Sequence, residues 1–134
     1  LPTDLDNILK RGTVAPHVNQ ILVHPGNTPT DLIEYCRRRN IRIEAYSPMA
    51  HGEILGNRQI AELAAAYEVS VPQLCIRYTL QLGAVSLPKT VNPEHMRSNA
   101  QLDFEISEAD MDVLRVLVAT DYGESAAFPV YSGK

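Results

Sequence analysis

Residues 84–99, AVSLPKTVNPEHMRSN, decide how this chain is read. Ala84-Val85-Ser86-Leu87 is a short apolar run of the kind that forms a buried strand. Lys89 and Thr90 follow at once, and Pro93-Glu94 open a helix on which His95 and Asn99 lie one turn apart. A strand end, a cation, a hydroxyl and a helix start together suit a phosphate. Lysine contributes a point charge, threonine a donor, and the helix start its free backbone N–H groups and the positive end of its dipole. Taken alone, the same residues also describe a solvated loop with an ordinary surface lysine.

Working outward, the two segments before this stretch read as helices. Residues 57–67 carry Ile60, Leu63, Ala64 and Tyr67 at helical spacing. Ser70 then caps residues 71–82, with Pro72 just inside, Gln73 completing a capping box and Gly83 closing the end. Leu74, Ile76, Tyr78, Leu80 and Leu82 are its expected core side. Further back, residues 41–46 form a second strand, followed by a loop over residues 47–56 that contains Pro48, Gly52 and Gly56. Residues 18–23 form another strand, apolar apart from Asn19 and Gln20, as expected of a strand buried on both faces. Between them lies a helix capped by Thr28 or Thr30, with Leu32, Ile33 and Cys36 inward. Arg37, Arg38 and Arg39 form its solvated end, and Asn40 stops it. Residues 3–10 make a first short helix capped by Thr3 and ended by Gly12. After the deciding stretch, residues 102–106 are extended or irregular. A last helix starts at Ser107 and Asp110, with Met111, Leu114, Val116, Leu117 and Val118 as its buried side. Strands separated by helices imply parallel pairing through crossovers, hence an α/β fold.

The wording of three segments is more specific than their periodicity. Leu87-Pro88-Lys89-Thr90, with Pro93-Glu94-His95 and Asn99, resembles the adenosine-phosphate segment of the aldo-keto reductases. Val18-Asn19-Gln20-Ile21 with Val23-His24-Pro25 resembles the family's sixth barrel strand and its exit, and Glu44-Ala45-Tyr46-Ser47-Pro48-Met49 its seventh. The resemblance covers nearly all of residues 1–134. It implies the C-terminal part of a (β/α)8 TIM barrel, strands six to eight with their helices, and an N-terminal half that is absent.

The same resemblance implies the site. Gln20 would hydrogen-bond the nicotinamide carboxamide, for which an amide is complementary as donor and acceptor; a core glutamine bonded to backbone is the plainer alternative. Tyr46, at a strand end, would stack on the nicotinamide; without the family match it would be read as packing. Ser47, Pro48 and Met49 would line the diphosphate path. Lys89 and Thr90 would hold the ribose phosphate with backbone help from Val91, and Asn99 would contact adenine. Ser98 stands where the family often has Glu. His95 stands where it commonly has Arg, which opens NAD beside NADP as the cofactor. The role of His51 is open, and His24 is not placed as the catalytic histidine. No residue matches the family's catalytic Asp, Tyr, Lys and His, so no catalytic residue is expected here. Residues near Phe128 and Tyr131 would add part of a substrate wall.

Composition agrees with a globular chain. The chain is 45% hydrophobic and 21% charged with a net charge of −4, which argues against nucleic-acid or anionic-membrane partners. No apolar run approaches a membrane span. Cys36 and Cys75 lack metal-ligand spacing, so no metal is expected, and a reduced, cytoplasmic setting follows. Residues 1–4, LPTD, show no targeting signal and no initiator Met, which suggests that a preceding segment was removed. The expected function is NAD(P)H-dependent reduction of aldehydes or ketones, with this segment supplying much of the cofactor cleft and inactive alone. The expected partners are a small carbonyl substrate and the N-terminal half-barrel, with self-association of the segment. The rival readings are a non-catalytic partial barrel that binds nucleotide or a protein partner, and an unrelated phosphate-binding barrel enzyme.

Overall fold

The computed structural model describes residues 1–118 and 122–127. Its elements run α1 (Pro2–Arg11), β1 (Val18–Leu22), α2 (Thr30–Arg37), β2 (Arg42–Tyr46), a 3-10 segment (Ala50–Gly56), α3 (Arg58–Ala66), α4 (Val71–Gln81), β3 (Val85–Leu87), α5 (Pro93–Ala100), α6 (Glu108–Val116) and a 3-10 turn (Gly123–Ala127). The three strands form one parallel sheet in the order β1-β2-β3. In register, Gln20 sits beside Glu44 and Glu44 beside Val85, while Leu22, Tyr46 and Leu87 align at the C-terminal ends.

Side chains alternate across a strand, so this register sorts them onto two faces. Ile21, Ile43 and Ala45 point toward the helices, with Ile43 and Ala45 buried among Ile33, Cys36, Leu74, Cys75 and Tyr78. Val18, Gln20, Arg42, Tyr46, Val85 and Leu87 point the other way, and Val18 and Val85 remain 43% and 42% exposed. The first strand is therefore not buried on both faces. Helices cover one side of the sheet, and nothing among the described residues covers the other.

Several helix starts match their sequence signals. Asn57 accepts the N–H of Ile60 at 3.1 Å and caps α3. Ser70 and Gln73 form the capping box of α4, and Gly83 takes the left-handed φ of 82° that ends it. Ser107 accepts the N–H of Asp110 and caps α6.

Others differ. Thr3 lies inside α1 and caps nothing; Pro2 at the first helical position starts the helix. Neither Thr28 nor Thr30 caps α2, because the Thr28 hydroxyl is 2.6 Å from the Tyr78 hydroxyl and the Thr30 hydroxyl donates to the Thr28 carbonyl. Residues 47–56 are not a plain loop, since 3-10 turns flank a kink at His51 and Gly52. In α6 only Met111 and Leu114 are fully buried. Val116 faces away from them and Val118 lies past the helix end, and both are largely exposed.

Two glutamines on α4 order the irregular stretch that follows α5. Gln81 brackets Ile106, accepting its N–H at 2.8 Å and donating to its carbonyl at 2.9 Å. Gln73 donates to the carbonyls of Ser98 and Gln101 at the end of α5. These bonds stand in for ladder hydrogen bonds that residues 102–106 do not make.

Candidate functional site

The C-terminal ends of β2 and β3 place Tyr46 and Leu87 side by side and send the following loops to the same end of the sheet. After Tyr46 the chain turns sharply. Ser47, Ala50 and His51 have φ values of 48°, 49° and 55°, and Gly52 has 97°. Left-handed backbone at non-glycine residues is uncommon, and here it is held by tight local bonds. The N–H of Ala50 donates to Ser47 at 2.8 Å and that of Gly52 to Met49 at 2.7 Å, while the side chains of Ala50 and Ile54 are buried.

Two cavities open along this end. The larger, about 450 Å³, is lined by Gln20, Tyr46, Ser47, Pro48, Met49, His51, Gly52, Leu55, Leu87 and Lys89. The smaller, about 210 Å³, is lined by Met49, Ser70, Pro72, Lys89, Thr90, His95, Ser98 and Asn99. Met49 and Lys89 line both, so the two cavities adjoin as the two parts of a trough from the sheet face to α5. Every residue anticipated from the sequence lines it except Val91, which is 89% exposed and lines neither part. Among the described residues no carboxylate lines either part, while Lys89, His51 and His95 do.

The start of α5 differs from expectation in one respect. Pro93 carries no N–H, and the N–H of Glu94 is already taken by the Asn92 side chain at 2.8 Å. The helix start thus presents fewer free donors than the sequence suggested. Thr90 compensates in kind. Its oxygen accepts the N–H of Asn92 at 3.1 Å, which leaves its O–H proton free to donate.

His24 lies outside this trough. It is fully buried, its Nδ1 is 2.8 Å from the Pro25 carbonyl, and its Nε2 is 3.3 Å from the Tyr122 hydroxyl. A carbonyl only accepts, so Nδ1 carries the proton and Nε2 accepts from Tyr122. Burial lowers the His24 pKa, opposed by the bond to Pro25. His24 is a core histidine that ties the exit of β1 to the 122–127 segment.

Cys36 and Cys75 are buried and unpaired, and burial pushes the Cys75 thiol up to about 12. Among the described residues no group of His, Cys, Asp or Glu could hold a metal, and no helix is long and apolar enough to cross a membrane. Phe128 and Tyr131, expected in a substrate wall, lie outside the described residues. Sequence reasoning did not place Leu55, Ser70 and Pro72 at the trough; Ser70 and Pro72 carried only the local signal of a helix start, and Leu55 carried none.

The fold and trough define an α/β partial barrel with a cavity at the C-terminal ends of its strands, and comparison with known proteins specifies its family. The aldo/keto reductase family model matches residues 2–118, and the chain belongs to that family. It is 41% identical over 102 residues to an uncharacterized oxidoreductase of Schizosaccharomyces pombe, covering 75% of this chain and 37% of that one. It is 37% identical over 114 residues to the glyoxal reductase of Bacillus subtilis, covering 84% of this chain and 41% of the relative. The aldo-keto reductase of the silkworm Bombyx mori, solved in complex with NADPH, superimposes with a TM-score of 0.77 at 28% identity, covering 87% of this chain and 39% of that one. The three parallel strands with their helices thus match part of an aldo-keto reductase TIM barrel, and the chain spans about two-fifths of the length of the curated relatives quoted.

Proposed function

We propose that this chain is the C-terminal part of an NADPH-dependent reductase of aldehydes or ketones and forms most of its cofactor cleft. The trough carries this reading. Among the described residues no carboxylate lines it, and its two parts run from Gln20 and Tyr46 to Lys89, Thr90, His95 and Asn99. An extended dinucleotide with a flat polar head and an anionic tail fits that order of groups.

Gln20 would hold the carboxamide of the nicotinamide, and the ring of Tyr46 would support its face. When bound, the reduced nicotinamide supplies hydride to a carbonyl carbon. Ser47 and the Met49 backbone would carry the diphosphate past the kink. Lys89 and the Thr90 O–H would take the ribose phosphate, and Asn99 the adenine edge. A general acid must protonate the carbonyl oxygen. No residue of this chain matches the family's catalytic acid, and on the family pattern that role falls to the N-terminal part of the barrel. The segment alone is therefore expected to be inactive. Its free, buried cysteines suit a reducing, cytoplasmic setting.

The test is NADPH binding by the full-length protein, measured by calorimetry, with Lys89→Met beside wild type. Loss of the lysine charge should weaken NADPH about tenfold or more. A wild type that does not bind NADPH overturns the reading.

A further inference from the structure

The smaller cavity has a wall that core packing does little to hold. His95, Ser98 and Asn99 of α5 line it together with Ser70 and Pro72 at the start of α4. Among the described residues every other α-helix has at least one buried side chain, and α5 has none. A helix of eight residues without a buried face draws little stability from packing. Something else must fix where Ser98 and Asn99 stand relative to α4.

Gln73 spans that gap. Its Oε1 accepts the N–H and the hydroxyl of Ser70, each at 2.9 Å. Its Nε2 donates to the carbonyl of Ser98 at 3.1 Å and to that of Gln101 at 2.9 Å. A carboxamide has two N–H donors and two acceptor lone pairs, so the side chain is fully used. It is half-buried and does not line the cavity, which leaves it nothing to offer a ligand directly. The capping box of α4 needs only the Oε1 half, and a glutamate would serve it equally. The two Nε2 bonds are additional, and they join the two helices whose residues wall the same cavity.

We propose that Gln73 is a positioning residue for the adenosine half of the cofactor: by fastening the last turn of α5 to the start of α4, its Nε2 sets the spacing of the walls between which that half binds. The proposal rests on the cofactor reading above. A wall held in place before the ligand arrives need not be ordered by it, which raises affinity without any contact from Gln73 itself. The effect is confined to the adenosine end, because Gln20 and Tyr46 at the other end stand on the sheet.

The experiment uses the full-length protein as wild type, Gln73→Glu and Gln73→Met, titrated with NADPH, adenosine 2′,5′-diphosphate and reduced nicotinamide mononucleotide. Glutamate keeps the capping box and loses both Nε2 donors. Methionine loses the donors without adding a charge, and it carries the same test should the glutamate variant not fold. Both variants should weaken NADPH about fivefold, as expected for the loss of hydrogen bonds that act through the wall. Adenosine 2′,5′-diphosphate should weaken by the same factor, and reduced nicotinamide mononucleotide, which has no adenosine, should bind as to wild type. Unchanged NADPH affinity in either variant overturns the proposal and leaves the cofactor reading standing; a loss in Gln73→Glu alone would be an effect of its charge. An equal loss with reduced nicotinamide mononucleotide also overturns it, since the whole trough would then have been disturbed. A wild type that does not bind NADPH overturns both readings.

Discussion

At the scale of single residues, two histidines have opposite fates. His95 is exposed and lines the smaller cavity beside Lys89 and Thr90. An imidazole there replaces the forked, permanently charged guanidinium that the family pattern leads one to expect. His95→Arg in the full-length protein should therefore raise the NADPH-to-NADH affinity ratio about tenfold. An unchanged ratio would show that His95 does not face the ribose. His24, by contrast, is buried, and burial holds its pKa below the ordinary value. The unfolded chain then takes up a proton that the folded chain resists, so His24 stabilises the fold fully above about pH 6.5 and progressively less as the pH falls toward the lowered value. Melting temperatures from pH 7.5 down to 5 should fall more steeply for wild type than for His24→Asn, and parallel curves would contradict this.

At the scale of elements, the helices were legible where their signals are local. The box formed by Ser70 and Gln73 and the cap at Ser107 each lie within one turn and appear as read. Residues 102–106 were legible only as irregular, because what holds them is remote. Gln81 reaches 25 residues along the chain to bracket the buried Ile106. Gln81→Leu should remove both bonds and leave the Ile106 N–H and carbonyl unpaired, at a cost of about 2 kcal/mol. Urea denaturation should show a lower midpoint with an unchanged slope. A midpoint equal to wild type would mean that Gln81 is not what orders this stretch.

At the scale of the whole molecule, the sheet is finished on one face only. Val18, Val85 and Leu87 stand on the open face among Gln20, Arg42 and Tyr46. β1 and β3 each have an edge that no described strand pairs. Open apolar faces and free edges invite a second surface. The chain produced alone should self-associate, with a mass in light scattering that rises with concentration. Adding the N-terminal part of a relative's barrel should reduce that association. A concentration-independent monomer would count against the partial-barrel reading.

Parallel strands between helices, the caps at Ser70 and Ser107 and the family wording around Gln20, Tyr46 and Lys89 are all properties of neighbouring residues, and the linear chain carried them. The chain alone did not show that β1 has an open face, because burial depends on which elements pack above it. The capping of α2 was misread for a similar reason, since Tyr78, 50 residues away, is what engages the Thr28 hydroxyl. The trough belongs to the same class. Gln20, Met49, Lys89 and Asn99 lie on four separate stretches, and only the parallel register that brings the C-terminal strand ends together makes them walls of one space. Local chemistry is set by sequence spacing, while the sharing of a cavity is set by strand pairing and packing over long separations, which no short window of residues encodes.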